Sequence, residues 1–206
     1  MLELYTYGTS NGQRASIMLE ESGLQYKAIK VDLERGEQKT PNYLKINPAG
    51  QIPALVDLSR AGGKPIVVCQ SGAIILHVAE RTGKLIPRDP SKRQLAYQWF
   101  MQAMTDVAPA SGIMFVIGSM VPEATNNTRK LFEQRLLGHL RNCDRRLAEA
   151  QFLADEYSIA DVALYPTVSF RREAVQQAGD LPYLTRWLAA MDAKPAVQRG
   201  MAVPKD

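Results

Sequence analysis

The hydrophobic pattern of this 206-residue chain changes its period once, and the place of that change constrains the fold more than any other feature. Before residue 83, strand-like runs flank short helical stretches. From Ser91 onward almost no strand pattern remains: 91–119, 125–150, 158–178 and 181–193 carry helical spacing, punctuated by Gly179, Pro182 and Pro195. Between the two regimes, the run from Thr82 to Pro90 is rich in turn formers and closed by prolines. The chain therefore reads as an α/β domain over 1–83, a linker over 84–90 and an all-helical domain over 91–206, with four or five helices around one core.

Within the first domain, Leu2 to Tyr7 alternates apolar and polar residues as a strand does, and Gly8 ends it. Thr9-Ser10-Asn11-Gly12 is a turn cluster, and from Gln13 the spacing is helical until Gly23. Tyr26 to Asp32 alternates again, which predicts a βαβ unit with parallel pairing and a right-handed crossover. After a polar loop at 34–38 and one or two helical turns over 41–46 comes Asn47-Pro48-Ala49-Gly50-Gln51-Ile52-Pro53-Ala54-Leu55-Val56. Its prolines and glycine impose a sharp path directly before a strand, and Pro53 biases Ile52 to an extended conformation. A hairpin loop over 57–64, containing Gly62-Gly63, joins it to a β-branched strand over 65–69. Then Ser71 caps a helix over 73–80. The order βαβ followed by ββα resembles a thioredoxin-like domain.

Composition excludes several functions. No run of eighteen apolar residues and no basic leader occurs, so neither a membrane span nor a secretory signal is expected, and the cytoplasm is the expected compartment. The net charge of +4 does not mark a nucleic-acid binder, because basic and acidic residues are interspersed, as in Glu34-Arg35-Gly36-Glu37. Cys69 and Cys143 are expected as reduced thiols. With only His77 and His139 beside them, no metal site is expected.

Three polar clusters flank strand and helix ends in the first domain: Thr9-Ser10-Asn11, Ile52-Pro53 and Gln70-Ser71. In a thioredoxin-like sheet such loops converge on one edge. This constellation, with Asn47 to Leu55, Gln70 to Ala73 and the Ser158-Ile159-Ala160-Asp161 capping pattern, resembles the cytosolic glutathione transferases along essentially the whole chain. Tyr5 to Gly12 and Gly36-Glu37-Gln38 look like the bacterial nu-class and fungal nitrogen-regulator-like branch. The resemblance implies a cis Ile52–Pro53 peptide, glutathione as cosubstrate, and a homodimer. It also implies glutathione contacts at Gln38, Gln51, Ile52, Pro53, Gln70 and Ser71, with Thr9 and Asn11 facing the sulfur. Two positions depart from the family pattern. Ser10 stands where proline is common, which makes it a further sulfur candidate, and Gln70 stands where glutamate is more usual, which removes a negative charge near the ligand's amino group.

Read from the residues alone, Thr9, Ser10 and Asn11 are N-cap residues, and Tyr5, Tyr7 and Cys69 are packing residues. Asp161 belongs to a capping box and is structural. Trp99, Phe100, Met101, Met104, Met114 and Phe115 read as helix core or dimer interface, and as candidates to line an acceptor pocket. Arg129 and Lys130 are candidates for a cross-subunit contact. The activity implied by the resemblance is attack of a glutathione thiolate on a small electrophile, as in detoxification. The alternative is glutathione-dependent disulfide reduction, and outside enzymes a binding or regulatory module on the same fold.

Overall fold

The computed structural model describes residues 1–58 and 63–205. It divides into two compact units, one of Met1–Lys84 with the segment from Ala193 on, the other of Leu85–Asp192. In the first unit, β1 (Leu2–Thr6), α1 (Ser10–Ser22), β2 (Tyr26–Lys30), a 3₁₀ turn (Glu37–Lys39), α2 (Pro41–Leu44), β3 (Ala54–Asp57), β4 (Ile66–Cys69) and α3 (Ser71–Thr82) follow in order. The four strands form one sheet in the order β2-β1-β3-β4. β1 runs parallel to β2, with Leu4 opposite Ala28, and antiparallel to β3, with Leu4 opposite Leu55. β3 and β4 are antiparallel, with Leu55 opposite Val68. The predicted βαβ and ββα order is therefore present. Part of the expected 57–64 hairpin loop, including Gly62, lies outside the described residues.

Local signals explain the boundaries. Gly23 ends α1 at φ 71°, a left-handed conformation that costs glycine little. β3 begins at Ala54 rather than Ile52, because Pro53 has no N–H to give a ladder. Leu4, Ile17, Met18, Leu19, Leu55, Ile74 and Ile75 form the core of this unit, all fully buried.

The second unit holds α4 (Pro90–Met101), a π-helical stretch (Gln102–Val107), α5 (Ala108–Met120), α6 (Asn126–Glu149), α7 (Ile159–Phe170), α8 (Arg172–Ala178) and α9 (Pro182–Asp192). That is six α-helices among the described residues rather than four or five. The expected 158–178 helix breaks at Arg171, which leaves helical geometry at φ −103°, ψ 18°. A second correction concerns the tail, which the sequence reading places in the helical domain. α10 (Pro195–Met201) instead packs on α1 in the first unit. Pro195 reads as punctuation, yet at the first helical position it begins a helix, where its missing N–H costs nothing. A Cβ on Gly200 would lie 2.5 Å from the Ile17 Cα, and the Ser16 hydroxyl donates to the Gly200 carbonyl at 2.6 Å. Only glycine permits that approach.

Candidate functional site

The N-terminal unit contains a cavity of about 390 Å³ lined by Thr9, Asn11, Leu33, Gln38, Lys39, Asn47, Gly50, Gln51, Ile52, Pro53, Gln70 and Ser71. Its size is that of a small-molecule site. Loops far apart in sequence meet there because β1, β3 and β4 are neighbours in the sheet and deliver their adjoining loops to one edge.

Thr9 is the N-cap of α1, and its hydroxyl oxygen accepts the Gly12 N–H at 3.2 Å. A hydroxyl that accepts through a lone pair keeps its proton for donation, so capping leaves this side chain a donor for the cavity it lines. Asn11, in the first turn of the helix, accepts the Arg14 Nη1–H on Oδ1 at 2.5 Å. Gly12 is required at the close approach behind them, where a Cβ would overlap the Tyr7 carbonyl oxygen and Thr6 Oγ1. Ser10 is the first helical residue and is not among those lining the cavity.

Between β4 and α3, Gln70 takes φ 74°, ψ 124°, a backbone region that non-glycine residues rarely adopt. This turn makes Gln70, not Ser71, the N-cap of α3, and Gln70 makes no side-chain capping bond. Ser71 is thereby the first residue of the helix, correcting its expected role as cap, and it lines the cavity at 4% exposure. Neither α1 nor α3 has an acidic residue in its first turn. Their N-terminal N–H groups thus leave a positive potential suited to anions.

Between these ends runs the Asn47–Pro53 stretch. The Ile52–Pro53 peptide is cis. The Gln51 carbonyl accepts from the Tyr43 hydroxyl at 2.7 Å and from Asn47 Nδ2 at 2.6 Å, and Asn47 Oδ1 accepts the Ala49 N–H at 3.2 Å. These bonds hold the loop at the point where Ile52, just outside the ladder, lines the cavity. Gln38 sits in the 3₁₀ turn, and its Oε1 is buried with no hydrogen-bond partner among the described residues. An unpaired buried acceptor is costly, and a ligand N–H is a partner to which it can turn.

Leu33, Lys39, Asn47 and Gly50 also line the cavity and were not singled out as site residues from the sequence. Lys39 is the one charged side chain among the lining residues, and its Nζ donates to the Ala49 carbonyl at 3.4 Å. Gly50, at φ 60°, leaves room for it: a Cβ there would stand 2.8 Å from Lys39 Nζ. A lone lysine in a polar turn carries no sequence signal; only the fold brings it to the wall.

The other candidates lie elsewhere. The Tyr5 hydroxyl donates to Glu3 Oε2 at 3.1 Å, and its ring meets Tyr43 edge-on at 6.3 Å. Tyr5 lines a second cavity with Ile29 and Tyr43, and burial raises its pKa, opposite to what a thiol-activating acid needs. Tyr7 is half-buried outside the lining, its pKa also raised, chiefly by burial. Cys69 Sγ faces the Ile46 carbonyl at 3.8 Å, and burial pushes its thiol up. Cys143 is buried and its pKa is pushed up to about 12. Neither is a thiolate near neutral pH.

Comparisons with known proteins agree with this geometry. Residues 1–80 match the family described as glutathione S-transferase, N-terminal domain. The disulfide-bond oxidoreductase YfcG of Escherichia coli is 34% identical over 206 residues, covering 98% of this chain and 94% of that protein. A glutathione transferase of Pseudomonas putida, crystallised with one glutathione disulfide per subunit, superimposes with a TM-score of 0.91. It is 34% identical, covering 98% of this chain and 91% of that one. A Burkholderia graminis transferase crystallised with two glutathione molecules per subunit has a TM-score of 0.91 at 36% identity, covering 99% and 88%. The chain belongs to the glutathione S-transferase family, in the branch of the bacterial nu-class and fungal nitrogen-regulator-like proteins.

Proposed function

We propose that this protein is a glutathione transferase that binds glutathione in the N-terminal cavity and activates its thiol. The observation that carries the reading is the convergence of two helix N-termini and the Ile52–Pro53 turn on one cavity with no carboxylate among its lining residues. The thiol lies toward Thr9 and Asn11, the cysteinyl backbone along Ile52, the γ-glutamyl end at Gln70 and Ser71, and the glycyl carboxylate toward Gln38 and Lys39. A thiol with pKa near 8.5 is a few per cent ionised at neutral pH, and each unit of lowering takes about 1.4 kcal/mol. A hydrogen bond to a charged group contributes roughly 1.5–3 kcal/mol, so the Thr9 hydroxyl and Asn11 amide suffice without a base. The thiolate then attacks an electrophilic carbon and displaces its leaving group.

Disulfide reduction is the second reading, favoured by the relative YfcG, which is named as a disulfide-bond oxidoreductase. There the bound thiolate attacks one sulfur of a disulfide and expels the other half as a thiolate. A second glutathione thiolate then releases glutathione disulfide and the remaining thiol. Retention on immobilised glutathione, with turnover of a chloronitrobenzene against hydroxyethyl disulfide, decides between them. Binding without turnover supports a non-catalytic module, and neither binding nor turnover removes both enzymatic readings.

The working form proposed is a cytoplasmic homodimer. The helical span Pro90–Met120 is apolar and long enough to cross a membrane by composition, yet its apolar side chains Met101, Ile113, Phe115, Val116 and Met120 are exposed in this chain. A second copy covering such a face accounts for both facts. Sedimentation of the protein against Phe115→Glu tests it, with a shift from dimer to monomer expected.

A further inference from the structure

Asn11 supplies an amide whose two ends differ in chemistry but hardly in shape. One orientation presents an NH₂ donor to a bound thiolate; the other presents a carbonyl oxygen, which repels it. The first turn of α1 resolves that ambiguity. Arg14 stands one turn after Asn11, is 1% exposed, and donates Nη1–H to Asn11 Oδ1 at 2.5 Å. A guanidinium has five donors and no acceptor, so it pairs only with the amide oxygen. Burial lowers the Arg14 pKa to about 10, which still leaves it cationic and donor-only at neutral pH. With Oδ1 held, the end of Asn11 left for the cavity it lines is Nδ2.

We infer that Arg14 is a positioning residue for thiol activation, holding the Asn11 amide so that its Nδ2–H points to the glutathione sulfur. This rests on the glutathione reading above. Arg14 itself does not touch the ligand in this account. It acts through Asn11 in two ways, by excluding the flipped amide and by polarising the amide with a charge-assisted bond, which strengthens the donor at its far end. A buried arginine that merely packed α1 would be indifferent to the thiol's ionisation.

The test is the pKa of enzyme-bound glutathione, followed by thiolate absorbance in wild type, Arg14→Met, Arg14→Lys, Asn11→Ala and the Asn11→Ala/Arg14→Met double variant. Arg14→Met is expected to raise that pKa by about one unit, a tenfold loss of thiolate well below its own pKa. Affinity for S-methylglutathione, which has no ionisable thiol, should stay within about twofold if the role is positioning rather than binding. Arg14→Lys restores the pKa, because an ammonium is also donor-only. The double variant matches Asn11→Ala alone. A wild-type pKa in Arg14→Met, or a further shift in the Asn11→Ala background, overturns the inference. In the unaltered protein, NMR should show Overhauser contacts from the Asn11 Nδ2 protons to the cysteinyl β-protons of bound glutathione. Their absence overturns it whether or not Arg14→Met folds. Failure of the unaltered protein to bind glutathione overturns the underlying reading and this inference together, whereas normal binding with an unmoved pKa overturns the inference alone.

Discussion

Asp161→Ala tests the helical unit where its sequence signal and its tertiary packing coincide. Asp161 is fully buried. One carboxylate oxygen accepts the Ser158 N–H at 3.0 Å and the Ser158 hydroxyl at 3.2 Å, and the other accepts the Leu153 N–H at 3.1 Å and Trp187 Nε1–H at 2.8 Å. Alanine leaves three buried N–H donors without an acceptor, which at roughly 1–3 kcal/mol each comes to about 6 kcal/mol in mid-range. Against that, burial holds the folded-state pKa up at about 6, compared with a reference of 3.8. A carboxyl whose pKa is raised on folding makes its full contribution when protonated in both states, and that contribution falls as pH rises between the two values. The shift corresponds to about 3 kcal/mol. The loss on substitution is therefore expected near 3 kcal/mol at pH 7 and to grow toward about 6 kcal/mol as pH falls to 4. Against a total stability of roughly 5–15 kcal/mol this is severe. Both tryptophans, Trp99 and Trp187, lie in the helical unit, so fluorescence-monitored urea unfolding at several pH values reads it directly. A loss under about 1 kcal/mol throughout, or one that shrinks on acidification, refutes the reasoning.

Three further outcomes concern the cavity. Thr9→Ala with Asn11→Ala should raise the pKa of bound glutathione by about 1–2 units, from the loss of one or two hydrogen bonds to the anion; titration of thiolate absorbance measures it. Ser71→Ala should weaken glutathione binding about tenfold by calorimetry while leaving that pKa in place, and a shifted pKa would contradict the assignment of Ser71 to the γ-glutamyl end. Gly50→Ala, forced into φ 60° with its Cβ 3.0 Å from the Gln38 carbonyl oxygen, should cost about 1–2 kcal/mol of stability and displace the Gln38–Lys39 wall. Thermal melts and glutathione affinity should therefore fall together.

The readings that succeeded from sequence rest on signals confined to a turn or a strand pair. The helix stop at Gly23, the succession of strands and helices along the first domain and the Ser158–Asp161 capping box depend on residues within a few positions of one another, or on a period that repeats along one element. The N-cap of α3 falls one residue before Ser71 because the positive φ of Gln70 has no signal in residue type; glutamine has no preference for it. The tail is ambiguous in sequence for a related reason: Pro195 is equally a stop and a start, and only the close fit of Gly200 on Ile17 shows which.

The sequence by itself determined the two regimes of the chain and the elements in each, while the candidate ligand residues Thr9, Ser10, Asn11, Gln38, Gln51, Ile52, Pro53, Gln70 and Ser71 follow from the resemblance of its motifs to the glutathione transferases. Capping, periodicity and turn chemistry are short-range, so one chain suffices to read them. The tertiary structure decided which of those residues share a cavity, that Ser10 and the two tyrosines lie outside its lining, and that Lys39 stands in its wall. It also decided which end of the Asn11 amide is engaged by Arg14. Those are distances between groups brought together by sheet order and burial, and no local pattern encodes them.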